Sequence, residues 1–391
     1  MKTMTLAPLP TVHALLAALV RPVLPDDALA APWCHPGEIG IWFSRSAWSL
    51  LAIAEWRTRL TGKMPVTIWL PDFFCNAALT PLREIGARFF FYPVNNQLAP
   101  DLDECLNQAS EHPPDLFMLV HFFGQPAPVD QALALCRNVG GWLIEDAAHV
   151  LRPTPGVGEH GDCVLYSPHK HLVSPDGAVL VIRQDGPSQL GRNTKSMASL
   201  REVVTALIAR PTYSRRPGAI WLIKRLLQLL GVRYDNNTMP FWPDIHTGDL
   251  PLPHPRMSNL AKRLLSVQRD MLDEVAQLRE QHCRIWQEAL TRSGMIQPEI
   301  KSWSISSTPY LAGFIGNDLF RTEACYLRWQ HTGLPVLTWP DLPPEVLANQ
   351  AHHKSALRLR QTRVYLPVHQ SLSSIQIRET CIPADKNIRG S

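Results

Sequence analysis

Charge is scarce in this sequence, and so are the patterns that would turn it into a binding surface. Asp, Glu, Lys and Arg make up 18% of 391 residues, and 38 basic against 34 acidic residues leave a net charge of +4. A balance so near neutral gives no sequence-wide footprint for a polyanion, which argues against nucleic-acid binding as the main function. No apolar run reaches the roughly 18 residues that a membrane-spanning helix needs. The segment 11–20 (TVHALLAALV) comes nearest to a secretion signal, yet it is short and ends at Arg21 and Pro22, so it reads as part of the folded chain. Eight cysteines are scattered without a C-x-x-C pair or a histidine at zinc spacing. That pattern predicts a reduced, cytoplasmic protein with no metal site. Internal repeats at periods of about 20 to 50 residues are absent as well.

What is present is an ample core and a clear alternation. Hydrophobic residues are 45% of the chain, enough for two domains or one large domain with an appendage. The 35 prolines, about 9% where roughly 5% is usual, are dispersed and read as loop stiffeners and element boundaries. From about residue 40 to 185, short β-type runs at 66–70, 88–92, 115–121, 142–145, 162–166 and 177–182 alternate with helical periodicity at 45–60, 75–86, 101–110 and 128–138. This predicts an α/β domain with a mostly parallel central sheet and helices on both faces. Residues 187–256 differ, being rich in Arg, Pro and Trp around the apolar segment 220–230 (IWLIKRLLQLL). They read as a helical insertion at about 187–250 packed on the main domain. The alternative is a basic amphipathic surface built from Arg215, Arg216, Lys224, Arg225 and Arg233 that meets a membrane or partner. A long helix is expected from Ser258 to about Ser293, followed after Pro309 by a smaller α+β region. The expected organisation is an N-terminal arm over 1–40, a large α/β domain over 41–256, and the long helix with a small C-terminal domain over 257–391.

Two runs carry chemistry. Residues 142–149 (WLIEDAAH) form an apolar strand that stops at paired acids. In an open parallel sheet, ligands sit beyond the carboxyl ends of the strands, so Asp146 stands where a ligand-facing carboxylate belongs, although an Asp ending a buried strand is, taken alone, more often a helix cap. One strand later, residues 161–170 (GDCVLYSPHK) set Lys170 in a tight turn between apolar runs, flanked by His169 and His171. That setting suits a nucleophilic amine better than a solvated surface lysine. Together the pair meets the needs of a pyridoxal phosphate enzyme, in which a lysine forms a Schiff base with the cofactor and a carboxylate keeps the pyridine nitrogen protonated.

These runs, with 70–79 (LPDFFCNAAL), 120–126 (VHFFGQP) and 366–370 (LPVHQ), resemble in order the motifs of the DegT/StrS family of sugar aminotransferases, fold type I enzymes of the aspartate aminotransferase superfamily. The resemblance implies Lys170 as the Schiff-base lysine and Asp146 as the carboxylate on the pyridine nitrogen. It further implies His149 on the ring hydroxyl, Ala148 against the ring face, and Ser46 and Ala47 as a helix start holding the cofactor phosphate. Ser167 is similar to a phosphate-binding serine, at three residues from the lysine instead of the family's five. Cys75 stands where many members stack an aromatic ring, leaving Phe73 or Phe74 to substitute. Pro255-Arg256-Met257 replaces the Asn-Tyr-Arg-Met motif. A homodimer is implied, with Arg256 approaching the neighbour's cofactor.

The implied reaction moves an amino group from an amino acid, by analogy glutamate, to a keto-sugar, nucleotide-linked, in polysaccharide or secondary-metabolite biosynthesis. The alternatives are another pyridoxal phosphate reaction, such as dehydration or transfer to a non-sugar acceptor, and a non-catalytic family member that binds the cofactor or a partner. His121 and Gln125 are expected to shape the floor of the cleft, and His352 and His353 to be surface residues. Trp33-Cys34-His35 has no assigned role.

Overall fold

The computed structural model describes residues 4–210, 217–232, 254–291, 296–299, 307–339 and 341–386. Among them, the strands β1 (Ile39–Phe43), β2 (Thr67–Pro71), β3 (Arg88–Tyr92), β4 (Leu116–Val120), β5 (Trp142–Ala147), β6 (Cys163–Tyr166) and β7 (Ala178–Ile182) form one sheet in the order β1-β7-β6-β5-β4-β2-β3. The run β3, β2, β4, β5, β6 is parallel throughout, whereas β7 is antiparallel to both β6 and β1. Every residue of β2, β4, β6 and β7 is buried, which is why they read as continuous apolar runs: strands covered on both faces have no solvated side to alternate with.

The strand β1 was not legible in the sequence. IGIWF contains a glycine and joins the sheet only at its edge, through Ile39 opposite Ile182 to Phe43 opposite Ala178. Gly40 is required there, because a Cβ would lie 2.6 Å from that of Ala30 in the neighbouring helix Asp26–Ala30.

The helix Ser46–Thr61 packs between the sheet and the helix Thr194–Ile208, to which it is joined by the Trp56 indole donating to the Ser196 carbonyl at 2.9 Å. It stops at Gly62, whose left-handed φ of 69° lets its N–H reach the Thr58 carbonyl. Leu102–Ala109 and Asp130–Val139 occur as expected. The single helix expected over 75–86 is instead a 3₁₀ turn, Asn76–Ala78, followed by Thr80–Glu84. Pro81 has no N–H to carry the ladder across from the first turn.

The helix expected from Ser258 to about Ser293 is also divided, into Asn259–Gln268, a 3₁₀ turn Arg269–Met271, and Leu272–Thr291. The Gln268 amide donates to the Leu264 and Val173 carbonyls and accepts from the Val173 N–H, all at 2.9 Å. A side chain inserted into its own helix ladder and tied to another segment is a sufficient cause for such a break. The result anchors this helix to the loop that follows Lys170.

Beyond it lies a small antiparallel sheet, β10 (Arg363–Pro367), β9 (Leu311–Gly316) and β8 (Ile296–Pro298). Trp286 and Phe314 are fully buried in its own apolar cluster. Of the region read as an insertion, the structure describes Thr194–Ile208 and a separate helix, Pro217–Leu229, whose Ile220, Ile223 and Leu229 are exposed. Arg215, Arg216 and Arg233 lie outside the described residues.

One sequence expectation fails here. His353 is buried, with Nδ1 3.2 Å from the Asp72 carboxylate at the end of β2, while its neighbour His352 is exposed. The pair links β2 to the helix Lys354–Thr362 across 281 positions of sequence, a distance at which no local pattern reports the contact. No helix among the described residues is long and apolar enough to cross a membrane.

Candidate active site

The carboxyl ends of β4, β5 and β6 open onto a cavity of about 340 Å³. Its walls bring together Ser46, Ala47, Asp146, Ala148, His149 and Lys170, from three separate stretches of chain. Ser167 is not on the wall. It lies fully buried beside the turn, and its hydroxyl has no hydrogen-bond partner among the described residues.

Asp146 faces the cavity because alternation along β5 points Glu145 the other way. No helix begins after it, so it caps none. One carboxylate oxygen accepts the Ala148 N–H at 2.9 Å, an Asx-type turn that fixes its direction. Burial raises its pKa above the usual carboxylate range, opposed by Lys170, the Ala148 amide and His121.

Lys170 closes a 3₁₀ turn, Pro168–Lys170, between β6 and β7. Its ammonium sits 5.8 Å from the centre of the Tyr310 ring, within cation–π range. The turn is held by Gly177, whose carbonyl faces the His169 N–H at 3.2 Å and Nδ1 at 2.9 Å. Burial holds His169 and His171 well below the ordinary imidazole range, helped by Arg45 beside the first and Arg279 beside the second.

His149 is neutral for the same reason, burial first and Lys170 second. Its Nδ1 accepts the Phe123 N–H at 3.3 Å, which leaves the ring proton on Nε2. Tyr310 stacks on it at 4.4 Å and 12°. At the opposite wall, Ser46 and Ala47 open the helix Ser46–Thr61, and the preceding Arg45 makes no side-chain cap, so no side chain covers the donors of the first turn. Arg45 is occupied instead with the carbonyls of Ser44 and Pro175, both at 3.0 Å.

Of the two aromatics that were to stand in for a ring at Cys75, Phe74 lines the cavity together with Cys75. Phe73 lies behind it, stacked at 4.3 Å on Trp339. Trp339, Tyr310 and Arg45 were missed by sequence reasoning. The two aromatics come from loops around the small sheet, and their only signal is a large ring beside a proline outside any periodic element. His121 and Gln125 take no part in the cavity wall. His121 bridges the Glu145 carboxylate at 2.9 Å and the Ala127 N–H at 3.0 Å, a structural role.

The model of the DegT/DnrJ/EryC1/StrS aminotransferase family matches residues 70–204. The match spans about a third of the chain, from the end of β2 through β7, and contains every proposed site residue except Ser46 and Ala47. Among solved structures, the aminotransferase TlmJ of Streptoalloteichus hindustanus superposes with a TM-score of 0.71 at 18% identity, covering 99% of this chain and 98% of its own. The Spr1654 protein of Streptococcus pneumoniae, solved in a PLP form, gives 0.70 at 15% identity with 99% of both chains covered. Helicobacter pylori PseC, an aminotransferase of pseudoaminic acid biosynthesis, gives 0.68 at 12% identity over 99% of this chain and all of its own. At these identities the likeness establishes the fold, and it is the fold type I architecture expected from the sequence.

Curated relatives match a shorter stretch. A serine hydroxymethyltransferase of Methanocella arvoryzae is 30% identical over 107 residues, and one of Methanopyrus kandleri is 32% identical over 108. The chain spans about a quarter of the length of these relatives.

Proposed function

We propose that this protein is a pyridoxal phosphate-dependent aminotransferase that takes the amino group from an amino acid, glutamate by analogy, and delivers it to a keto-sugar. The acceptor in this reading is nucleotide-linked, on a route to a polysaccharide or a glycosylated secondary metabolite. The observation that carries the reading is the meeting of Asp146 and Lys170 in one cavity onto which an uncapped helix start also opens.

The residues present fit the cofactor. The N–H groups of Ser46 and Ala47 suit its phosphate, whereas the orphaned hydroxyl of Ser167 lies off the cavity wall. Asp146 suits the pyridine nitrogen, the Nε2–H of His149 the ring hydroxyl, and Ala148 leaves room at the ring face. When bound, the cofactor supplies an electron sink for the charge left when a substrate Cα gives up its proton.

The rest of the work falls to the protein. The raised pKa of Asp146 expresses how poorly a lone carboxylate fits at its position, and a proton held on the ring nitrogen would relieve that cost. Lys170, positioned by the turn at Gly177, holds the cofactor and moves the proton to and from the substrate Cα. Phe74, Phe122 and Trp339 wall the cavity against water. Because donor and acceptor use one cavity in turn, the kinetics are ping-pong. In the same reading the protein is a homodimer, and the exposed Arg256 reaches toward the partner's site.

The test is the absorption spectrum of the protein loaded with pyridoxal phosphate, before and after excess glutamate. Conversion of the visible band to the pyridoxamine form supports the reading, and a protein that gains no visible band overturns it. The hydroxymethyltransferase relatives motivate a second reading, another pyridoxal phosphate reaction on an amino acid. It would be favoured by a visible band that serine changes and glutamate does not.

A further inference from the structure

A second chamber of about 330 Å³ adjoins the first. Lys170, His169 and Arg45 line both, so the two meet at the lysine. The far wall of the second chamber is built from Trp221 and Arg225 of the helix Pro217–Leu229, with Arg279 from the helix Leu272–Thr291. Three guanidinium groups and the lysine thus surround it, and no Asp or Glu is in its lining.

Arg225 and Arg279 have no carboxylate ion pair among the described residues, as the salt bridges there involve other arginines. Arg279 is buried, its terminal nitrogens donating to the carbonyls of His171, Pro309 and Tyr310, and its Nε has no partner. Arg225 lies 5.6 Å from the Trp221 ring and donates to Gln228 at 2.8 Å, and its Nε is likewise buried without a partner. Burial lowers the pKa of both. Arg279 is buried and Arg225 half-buried, and a guanidinium taken out of water without a counter-ion is costly, so the two beside one empty volume call for an anion.

We infer that this chamber is the subsite for a substrate carboxylate, with Arg225 as its anchor and Trp221 as the apolar wall along the substrate's carbon chain. The inference rests on the proposed function, since the group that reacts at Lys170 must belong to the same molecule whose remainder enters the chamber. A carboxylate is favoured over a phosphate by the other walls. Leu6, Leu311, Leu337 and Val368 suit an aliphatic chain ending in a planar, bidentate oxyanion better than a strongly hydrated phosphate.

The experiment is calorimetric titration of the cofactor-loaded protein with glutarate, a dicarboxylate that has no amine and cannot react, and separately with inorganic phosphate. Glutarate is expected to bind, Arg225→Leu to weaken it by about tenfold or more, and Arg225→Lys to restore part of the loss. The Leu variant is also expected to raise KM for glutamate with a smaller change for alanine. Equal glutarate affinity in wild type and Arg225→Leu overturns the assignment, as does binding of phosphate with none of glutarate. The lysine variant keeps the question answerable if the leucine variant does not fold. Should the protein gain no visible band with pyridoxal phosphate yet bind glutarate through Arg225, the subsite stands and the proposed function falls. A normal response to glutamate with Arg225 immaterial gives the reverse.

Discussion

The two faces of β5 hold adjacent carboxylates with opposite fates. Glu145, wholly buried, accepts from His121 at 2.9 Å and from the N–H groups of Gly158, His160 and Gly161 at 2.6 to 2.8 Å. Burial alone would raise its pKa, but these donors outweigh it and hold it at about 2. Asp146, one residue on, receives a single amide and is left above the usual range by its burial. One acid is thus saturated by the fold and the other is kept unsatisfied toward a cavity. The pleat of a strand is enough to separate a structural charge from a chemical one.

The sharpest way to break that contrast is at the cavity itself. Lys170→Ala should remove the visible cofactor absorbance and lower turnover by about 10⁴-fold, while the melting temperature of the cofactor-free protein stays close to wild type. Retention of the band would take Lys170 out of its role. Asp146→Asn should keep the cofactor bound yet slow the glutamate half-reaction by about 10² to 10³-fold in stopped-flow absorbance. The effect on stability has the opposite sign to most buried substitutions. A carboxyl pKa raised on folding means that the folded chain holds the proton more tightly than the unfolded one, so this residue weighs against the fold as pH rises through that range. The cofactor-free Asn variant should therefore melt no earlier than wild type at pH 7.

On the structural face, Glu145→Gln should do the reverse. A lowered carboxylate pKa contributes stability that is present above the unfolded value of about 4.5 and is lost as pH falls toward about 2. The span corresponds to about 3 kcal/mol, and the glutamine amide would also turn a donor toward donors. Urea unfolding at pH 7 should register that loss, and the gap between variant and wild type should narrow at pH 3. A glutamine variant as stable as wild type would end the division of labour between the two acids.

The cavity was legible because its chemistry is local. Asp146, Ala148 and His149 sit on one strand end, Lys170 on the turn after the next strand, and Ser46 and Ala47 at a helix start, so each carried its meaning in a few neighbours. The core strands were legible for the same reason, as fully buried runs need no partner to be recognised. Tyr310, Trp339 and Arg279 were not, since each reaches the site by packing across a hundred or more positions. The edge strand β1 and the break at Gln268 also depend on distant partners, Ile182 and Val173.

His353 is the remaining instance, and it repeats the lesson of β5 at the end of β2. Asp72 is fully buried, and burial raises its pKa against the pull of His353 and two backbone amides. Unlike Glu145, it leans on one side chain from far along the chain. Removing that ring by His353→Leu leaves the carboxylate with backbone donors alone, and the fold should lose about 1 to 3 kcal/mol in urea unfolding at pH 7. The double variant with Asp72→Asn should recover much of that loss, because an amide tolerates the apolar neighbour better than a charge does. If the two losses instead add, the histidine was packing against Phe91, 6.5 Å away, and was not answering the acid.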